Sequence, residues 1–236
     1  MDLATLWEEV RPAVDIAARS APGARLRGVD WSGVTRGQVW SARSDRVVGV
    51  GYWPVPRAQA WLAITDDAPA DRTDGLTERR LRGAWSESPK LLYERIDLPW
   101  PLQDRHFVIE SRTNLSLAQR DRRVWERAWT LADAHLPSAR TDADGAAYDA
   151  SARVAANDGS WILVEVDPTH TLAIYSVRVD LGGNVPEGAV ATWTASSVEE
   201  LFASMRASAS SAWTRYLARC ATRPLPGGDG APLGCS

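Results

Sequence analysis

The sequence predicts an α+β fold in which a curved antiparallel sheet wraps around a long C-terminal helix. A long run of strand-like segments joined by short turns predicts the sheet, because strands joined in this way must be antiparallel. A final segment whose apolar residues fall on one helical stripe predicts the helix that covers one face of the sheet. We expect a space for a ligand between the curved sheet and this helix.

The N-terminal quarter is predicted to hold one helix, three strands and a second, shorter helix. Apolar residues at helical spacing predict the first helix over residues 3–19, with a kink or break at Pro12. Alternating polarity predicts a hairpin over residues 24–44 and a third strand over residues 45–53. Pro56 suits the start of the short helix that follows, because the N–H that proline lacks would have no partner there.

Seven further strands are predicted in the middle of the chain and one long helix near its end. Turn-forming residues separate these strands, which are predicted at residues 76–85, 90–98, 105–115, 122–131, 147–156, 160–167 and 171–181. The helix is predicted to have Ser196 or Ser197 as its N-cap, with Glu199 or Glu200 closing a capping box. The sequence TASS at residues 194–197 is expected to interrupt any helix that begins earlier.

We predict one domain over residues 1–219 and a disordered tail over residues 220–236, because the tail is rich in proline and glycine. Cys220 and Cys235 both lie in this tail, and a disulfide between them is an open alternative. Without a C-x-x-C pair or a nearby histidine, the cysteines do not indicate a zinc site. The three histidines of the chain show no metal-ligand spacing either, so we expect no metal.

The composition is that of an ordinary globular protein with an unusual supply of tryptophan. The 236 residues are 44% hydrophobic and 24% charged, and the net charge of −3 argues against nucleic acid as a partner. Twelve tryptophans accompany only two phenylalanines, and each buried indole N–H needs a partner. The sequence has neither the ~18 consecutive apolar residues of a membrane helix nor the pattern of a secretory signal, so we expect a soluble cytoplasmic protein.

Two motifs resemble those of START domains, the lipid-transfer modules of the helix-grip superfamily. The first is YERIDLPWPLQDRHFVIESRT at residues 93–113, in which two prolines bracket Trp100. The second is WILVEVDPTHTLAIYSVRVDLGGNVPEG at residues 161–188, which leads into the last helix. The resemblance covers most of residues 5–217, although His106 stands where the family motif has an acid.

The resemblance implies a helix-grip fold with a deep apolar cavity that holds one lipid, sterol, polyketide or similar molecule and no cofactor. Most members of the family bind and move ligands, and some relatives in the wider superfamily are polyketide cyclases or aromatases. An enzyme of that kind, with His106 and Tyr175 as its candidate residues, is therefore the alternative to a carrier. A partner-binding domain with a solid interior is a third hypothesis. We expect a monomer, and a transient membrane contact stays open.

The candidate ligand-binding residues are mostly large side chains that can face the predicted space. Trp125 and Trp129 lie four residues apart on one strand and therefore share a face. Arg105 and His106 face opposite ways, so at most one of them points inward. The whole set is Trp85, Tyr93, Arg105, His106, Trp125, Trp129, Trp161, Tyr175, Trp193, Leu201, Phe202 and Met205. Core packing is the alternative for each, and a structural clamp, with Trp100 packed against the end of the sheet, is the alternative for the Pro-Trp-Pro turn.

Overall fold

A curved antiparallel sheet gripped around a long helix forms the centre of the structure, which confirms the predicted fold class. The computed structural model describes residues 2–20, 26–43, 46–65, 76–84, 87–142, 145–183 and 187–235, except for the side chains of residues 142 and 187–197. Its helices are Leu3–Ala17 (α1), Trp31–Thr35 (α2), Arg57–Thr65 (α3), Leu115–Arg120 (α4), Leu136–Asp142 (α5), Gly145–Ala150 (α6) and Glu187–Leu217 (α7). Its strands are Trp40–Arg43 (β1), Val47–Trp53 (β2), Leu76–Arg82 (β3), Lys90–Ile96 (β4), Arg105–Thr113 (β5), Val124–Leu131 (β6), Ala152–Arg153 (β7), Ala156–Asp167 (β8) and His170–Asp180 (β9).

The strands form one sheet in the order β1-β2-β9-β8-β6-β5-β4-β3, and β7 pairs with β5. All neighbours in this order are antiparallel, and only the short β7 pairs in parallel. The register sets Trp161 opposite Tyr175 and Ser111 opposite Trp129. Because residues directly opposite each other share a face, these pairs lie side by side on the face that α7 covers.

The other face of the sheet, which we call the outer face, is covered by α1. This helix buries one apolar stripe against β2, β8 and β9, and the stripe consists of Leu3, Leu6, Trp7, Val10 and Val14. Each of these side chains contributes about 1.5–3 kcal/mol by leaving water. The side chain of Asp2 caps the helix by accepting a hydrogen bond from the Thr5 N–H at 3.0 Å. Of the predicted kink or break at Pro12, the break does not occur, because α1 continues to Ala17.

A buried carboxylate fastens the end of α1 to the outer face. Glu126 is fully buried and accepts hydrogen bonds from the Arg19 backbone N–H at 3.0 Å and from the Asn114 amide at 2.6 Å. Asn114 also donates to the Ala17 carbonyl at 2.7 Å. Burial raises the pKa of the Glu126 carboxyl, while the hydrogen bond from Asn114 opposes that rise. This acid is therefore part of the helix attachment and faces away from α7.

On the inner face, which we define as the face toward α7, two glycines of β2 allow the helix to approach closely. A Cβ added to Gly49 would lie 2.7 Å from Val198 Cγ1 and 2.8 Å from Phe202 Cε2. A Cβ added to Gly51 would lie 2.5 Å from Phe202 Cδ1. The helix therefore packs directly on the sheet at these two glycines of β2.

The C-terminal segment packs against the body of the protein, so the predicted disordered tail is wrong. Cys220 and Cys235 form a disulfide, and Leu225 and Leu233 are buried in the same apolar cluster as α3 and α7. The Tyr216 hydroxyl donates a hydrogen bond to the Leu233 carbonyl at 2.6 Å. The composition, rich in proline and glycine, suggested that the entropy cost of ordering this segment would keep it disordered. Burial of the two leucines and the disulfide offset that cost.

Three other local predictions are wrong. The predicted first strand of the N-terminal hairpin is replaced in part by α2, whose N-cap Asp30 accepts a hydrogen bond from the Gly33 N–H at 2.9 Å. The first part of the strand predicted at residues 147–156 belongs to α6, and the short β7 follows. The last helix begins at Glu187 and runs through residues 194–197 without interruption. That stretch contains neither proline nor glycine, so nothing in its backbone chemistry forces a break.

No helix in the part of the chain that the structure describes combines the length and the apolar character needed to cross a membrane.

Candidate functional site

A cavity of about 200 Å³ lies between the inner face of the sheet and α7. A single buried water needs only about 10–15 Å³ on the same measure, so this space is far larger than a packing defect. Its lining is mostly apolar and includes Leu92, Ile96, Phe107, Ile109, Val177 and Val179. These residues alternate along β4, β5 and β9, as expected for one face of a sheet.

Three aromatic rings from adjacent strands form one wall of the cavity. The ring centroids of Trp129 and Tyr175 are 5.9 Å apart, and those of Trp161 and Tyr175 are 4.8 Å apart. Trp129 donates its indole N–H to Asn157 Oδ1 at 2.9 Å, which fixes the ring. A Cβ on Gly159 would lie 2.5 Å from Trp129 Cζ2, so glycine at this position lets the indole lie against the sheet. The wall is thus held open rather than collapsed into the space.

The opposite wall of the cavity comes from α7. Val198, Leu201 and Met205 line it, and their spacing of three and four residues keeps them on one side of the helix. Met205 is buried and Leu201 is partly exposed. Methionine and leucine side chains adapt to ligands of different shape, because they have several rotatable bonds and no polar group that needs a partner.

A few polar groups face the same cavity. Glu78 and Glu94 are cross-strand neighbours on β3 and β4, and both line the space. Arg127 also lines it and donates a hydrogen bond through Nε to Ser111 Oγ at 2.7 Å. Burial, together with the charge of Glu94, raises the pKa of the Tyr175 phenol. Tyr175 is therefore protonated at neutral pH and offers a hydrogen-bond donor to a ligand.

Tyr93 and His106 lie on the outer face, so the prediction that they bind ligand in the cavity is wrong. His106 Nδ1 lies 2.7 Å from Ser151 Oγ, and its ring stacks on Tyr148 with centroids 4.1 Å apart. Tyr93 belongs to the same cluster, in which α5 and α6 cover the back of β4 and β5. Burial, and to a smaller extent the charge of Arg153, lowers the pKa of His106. The neutral imidazole is a packing group behind the cavity wall.

Arg105 is a structural clamp and does not line the cavity, so its assignment to the ligand site is also wrong. It is buried and donates through Nε to the Leu181 carbonyl at 2.7 Å and through an Nη to the Gly182 carbonyl at 3.3 Å. A further Nη donates to the Gln103 carbonyl at 2.5 Å. The guanidinium thus ties the β4–β5 turn to the segment that precedes α7. The clamp interpretation holds for Arg105, although its partners are carbonyls rather than carboxylates. It is wrong for Trp100, which is 92% exposed and does not pack against the end of the sheet.

Trp125 and Phe202 are buried and do not line this cavity, so the prediction that they line it is wrong. The ring of Trp125 meets Trp61 edge-on at 5.6 Å, and the Arg57 guanidinium lies 3.9 Å from its centroid. Phe202 is almost fully buried, with the ring of Trp161 5.0 Å away. Two more predicted residues, Trp85 and the side chain of Trp193, lie outside the described residues.

Five predicted residues do line the cavity: Trp129, Trp161, Tyr175, Leu201 and Met205. Sequence reasoning missed its polar residues, which are Glu78, Glu94, Ser111, Arg127 and Asn157. The alternation of Leu92, Glu94 and Ile96 along β4 could have suggested one of them. That pattern identifies residues that share a face, but it does not say which face α7 covers.

Among the described residues, no group of three or more histidine, cysteine, aspartate or glutamate side chains is placed to hold a metal ion. The cavity offers a ligand apolar surface, aromatic rings and a few hydrogen-bonding groups.

The sequence matches no protein-family model and no curated protein. Solved structures nevertheless share the fold. A fragment of a STAR-related lipid transfer protein from Xanthomonas axonopodis is 15% identical with a TM-score of 0.54, over 72% of this chain and 92% of that chain. Human StAR-related lipid transfer protein 5 is 11% identical with a TM-score of 0.54, and the match covers 87% of this chain and 98% of that chain. Human STARD10 is 10% identical with a TM-score of 0.52, and the match covers 79% of this chain and 76% of that chain. The chain therefore has the helix-grip fold of START domains, as its two motifs predicted.

Proposed function

We propose that this protein binds a hydrophobic small molecule, such as a lipid or a sterol, in the cavity between the sheet and α7. The observation that carries the proposal is the apolar cavity of about 200 Å³ that the rings of Trp129, Trp161 and Tyr175 flank. Apolar clefts with a few placed polar groups are the usual form of small-molecule sites. The solved structures with this fold include proteins named for lipid transfer, which supports the same class of ligand.

The ligand that fits best has an apolar body and one polar group. Trp129, Trp161, Leu201 and Met205 would contact the body, because they present carbon surface to the cavity. The Tyr175 hydroxyl would donate to an oxygen of the polar group, since its pKa is raised. Transfer of the ligand between membranes, a cytoplasmic location and a monomeric state remain predictions that accompany this proposal.

An enzyme of the cyclase or aromatase kind ranks below binding. Of its two candidate residues, His106 lies on the outer face and cannot reach a ligand in the cavity. Tyr175 does line the cavity, and a Tyr175→Phe variant separates the two functions. If the protein only binds its ligand, the variant should bind less tightly. If Tyr175 takes part in catalysis, the variant should instead lose a chemical conversion of the ligand that the wild type performs. The hypothesis of a solid interior conflicts with the cavity itself.

The test is to identify what the purified protein carries. Detergent-free preparation, solvent extraction and mass spectrometry should find one hydrophobic molecule per chain, or binding of one from a lipid and sterol panel. A Leu201→Trp variant fills the cavity from α7 and should lose that binding. Leu217→Trp is the matched control, because Leu217 lies on the same helix but is exposed. Absence of any bound or bindable molecule across the panel would contradict the proposal.

A further inference from the structure

The C-terminal segment folds into a small hairpin. The Leu233 N–H donates a hydrogen bond to the Leu225 carbonyl at 2.8 Å. The Gly227 N–H donates to the Ala231 carbonyl at 2.7 Å. We call residues 225–233, with the sequence LPGGDGAPL, the C-terminal hairpin. Its backbone bonds fix its shape, so it lies against the body of the protein as a preformed peptide that contains proline and glycine.

The hairpin covers three aromatic side chains that come from α3, β6 and α7. We call these side chains the aromatic surface, and they are Trp61, Trp125 and Tyr216. Trp61 donates its indole N–H to the Pro226 carbonyl at 3.1 Å. Tyr216 donates its hydroxyl hydrogen to the Leu233 carbonyl at 2.6 Å. The aromatic surface therefore binds the hairpin through backbone carbonyls, which any peptide of the same shape can offer.

Two glycines let the hairpin lie directly on the Trp125 ring. A Cβ added to Gly227 would lie 2.9 Å from Trp125 Cη2, and one added to Gly228 would overlap Trp125 Cγ. Trp125 is buried, yet its indole N–H has no hydrogen-bond partner among the residues that the structure describes. A buried donor without a partner costs free energy. The hairpin thus leaves one donor of the aromatic surface unused, and a peptide that places a carbonyl there would gain that hydrogen bond.

A cation lies beside the aromatic surface. The Arg57 guanidinium lies 3.9 Å from the centre of the Trp125 ring and pairs with Glu165 at 2.9 Å. Burial lowers the pKa of Arg57, while the negative charges of Glu165, Asp229 and Asp121 oppose that fall. Asp229 belongs to the hairpin, so its charge attracts the hairpin to this cation. A peptide with an acidic residue after its two glycines would gain the same attraction.

A disulfide holds the hairpin in place. Cys220 lies just after α7 and is buried, whereas Cys235 lies just after the hairpin and is exposed. Closing a loop of this length favours the bound state of the hairpin by about 100-fold in the chain-entropy account. A dithiol opens the bond by thiol–disulfide exchange, in which two electrons and two protons pass to the cysteines and the dithiol becomes a disulfide. The redox state therefore sets how firmly the hairpin covers the aromatic surface.

We propose that the aromatic surface is a docking site for a proline- and glycine-containing peptide of a partner protein, and that the C-terminal hairpin occupies it until the disulfide is reduced. Aromatic-lined grooves are a common way to bind proline-rich peptides, which are preformed and lose little entropy on binding. In this protein the bound peptide is part of the same chain, and it shows which chemistry the surface accepts. A partner's peptide competes best when the hairpin is attached at one end only, as it is after reduction.

Fluorescence anisotropy of a labelled peptide tests the proposal on the full chain. The probe is TRPLPGGDGAPLG, the sequence of residues 222–234. It should bind to the protein in dithiothreitol with an apparent Kd about 100-fold lower than to the oxidised protein, because the hairpin then leaves the surface more often. The matched control is the same peptide with Gly227→Ala and Gly228→Ala. It should not bind, because its methyl groups would overlap the Trp125 ring.

Two protein variants separate a docking site from a purely structural tail. Trp61→Phe removes the indole N–H and should weaken binding of the peptide to the reduced protein. A Leu225→Asp, Leu233→Asp variant weakens the hairpin's own attachment and should bind the peptide without reduction. The proposal is overturned if reduced protein does not bind the peptide, if oxidised protein binds it equally well, or if the alanine peptide binds as tightly. The cavity ligand should bind alike in both redox states, so this outcome is independent of the proposed function.

Discussion

The space between the sheet and α7 has two halves, one filled and one open. In the filled half, Trp61, Trp125 and Tyr216 pack with Leu225 and Leu233 of the C-terminal segment. In the open half, Trp129, Trp161 and Tyr175 border the cavity. Both halves contain tryptophan and tyrosine, and β6 contributes to both through Trp125 and Trp129. The difference teaches that tryptophan content does not decide whether an interior is solid or hollow.

Trp125 and Trp129 show what does decide it. They share a face of β6 and lie about 13 Å apart along the strand. A Cβ on Gly227 would lie 2.9 Å from Trp125 Cη2, which shows how tightly the C-terminal segment covers this ring. Trp129 instead lies over Gly159, is held by Asn157 and borders the cavity. The neighbours of each indole, rather than the indole itself, make one half solid and the other hollow.

The largest effect should come from truncating the tryptophan of the filled half. Trp125→Ala removes a buried ring and should lower the free energy of unfolding by about 3–5 kcal/mol. Trp129→Ala should cost clearly less, because its ring already borders open space and is only partly buried. Urea unfolding of the two variants measures both values. Equal losses would mean that the two halves do not differ in packing.

The second-largest loss of stability should come from removing the disulfide. Cys220 and Cys235 are 15 residues apart, and closing a loop of that length contributes about 3 kcal/mol in the chain-entropy account. A Cys220→Ser, Cys235→Ser variant should therefore unfold at lower temperature, and its C-terminal segment should exchange amide hydrogens faster. Ligand binding should be unchanged, because this segment covers the filled half. Loss of ligand binding without loss of stability would reverse the assignment of the two halves.

The smallest effect should be a pH dependence of the free energy of unfolding that comes from His106, which lies behind the open half. Burial lowers the pKa of His106, so between that pKa and the usual value of about 6.5 the unfolded chain binds more protons than the folded one. The contribution of neutral His106 to the free energy of unfolding is therefore complete above about pH 6.5. That contribution is lost as the pH drops toward the pKa of His106 in the folded protein. Urea unfolding at several pH values should show this fall in the wild type and a weaker one in His106→Gln. An identical fall in both proteins would show that His106 is not its source.

The order of elements was predictable because it depends on local patterns. The strand run, the turns and the one-sided last helix identified the fold, and the two motifs pointed to the same architecture. The wrong local predictions concern α2, α6 and α7, where local sequence patterns do not report the tertiary contacts that override propensity.

The site was predictable only in part for the same reason. Tyr93 and Glu94 are neighbours on β4, and a shift of one residue exchanges which of them faces the cavity. The sequence favoured the aromatic side chain, while the register placed the carboxylate inward. The C-terminal segment was missed because its composition suggested disorder, although Leu225 and Leu233 had the apolar character to dock on α7. Contacts between distant segments decide both outcomes.

Xenon binding tests the difference between the two halves most directly. Xenon enters dry apolar cavities of roughly 150 Å³, and pressurised crystals of the delipidated protein would locate it. We expect xenon among Trp129, Trp161 and Tyr175, and none beside Trp61 and Trp125. Xenon absent from the first position, or present equally at both, would contradict it.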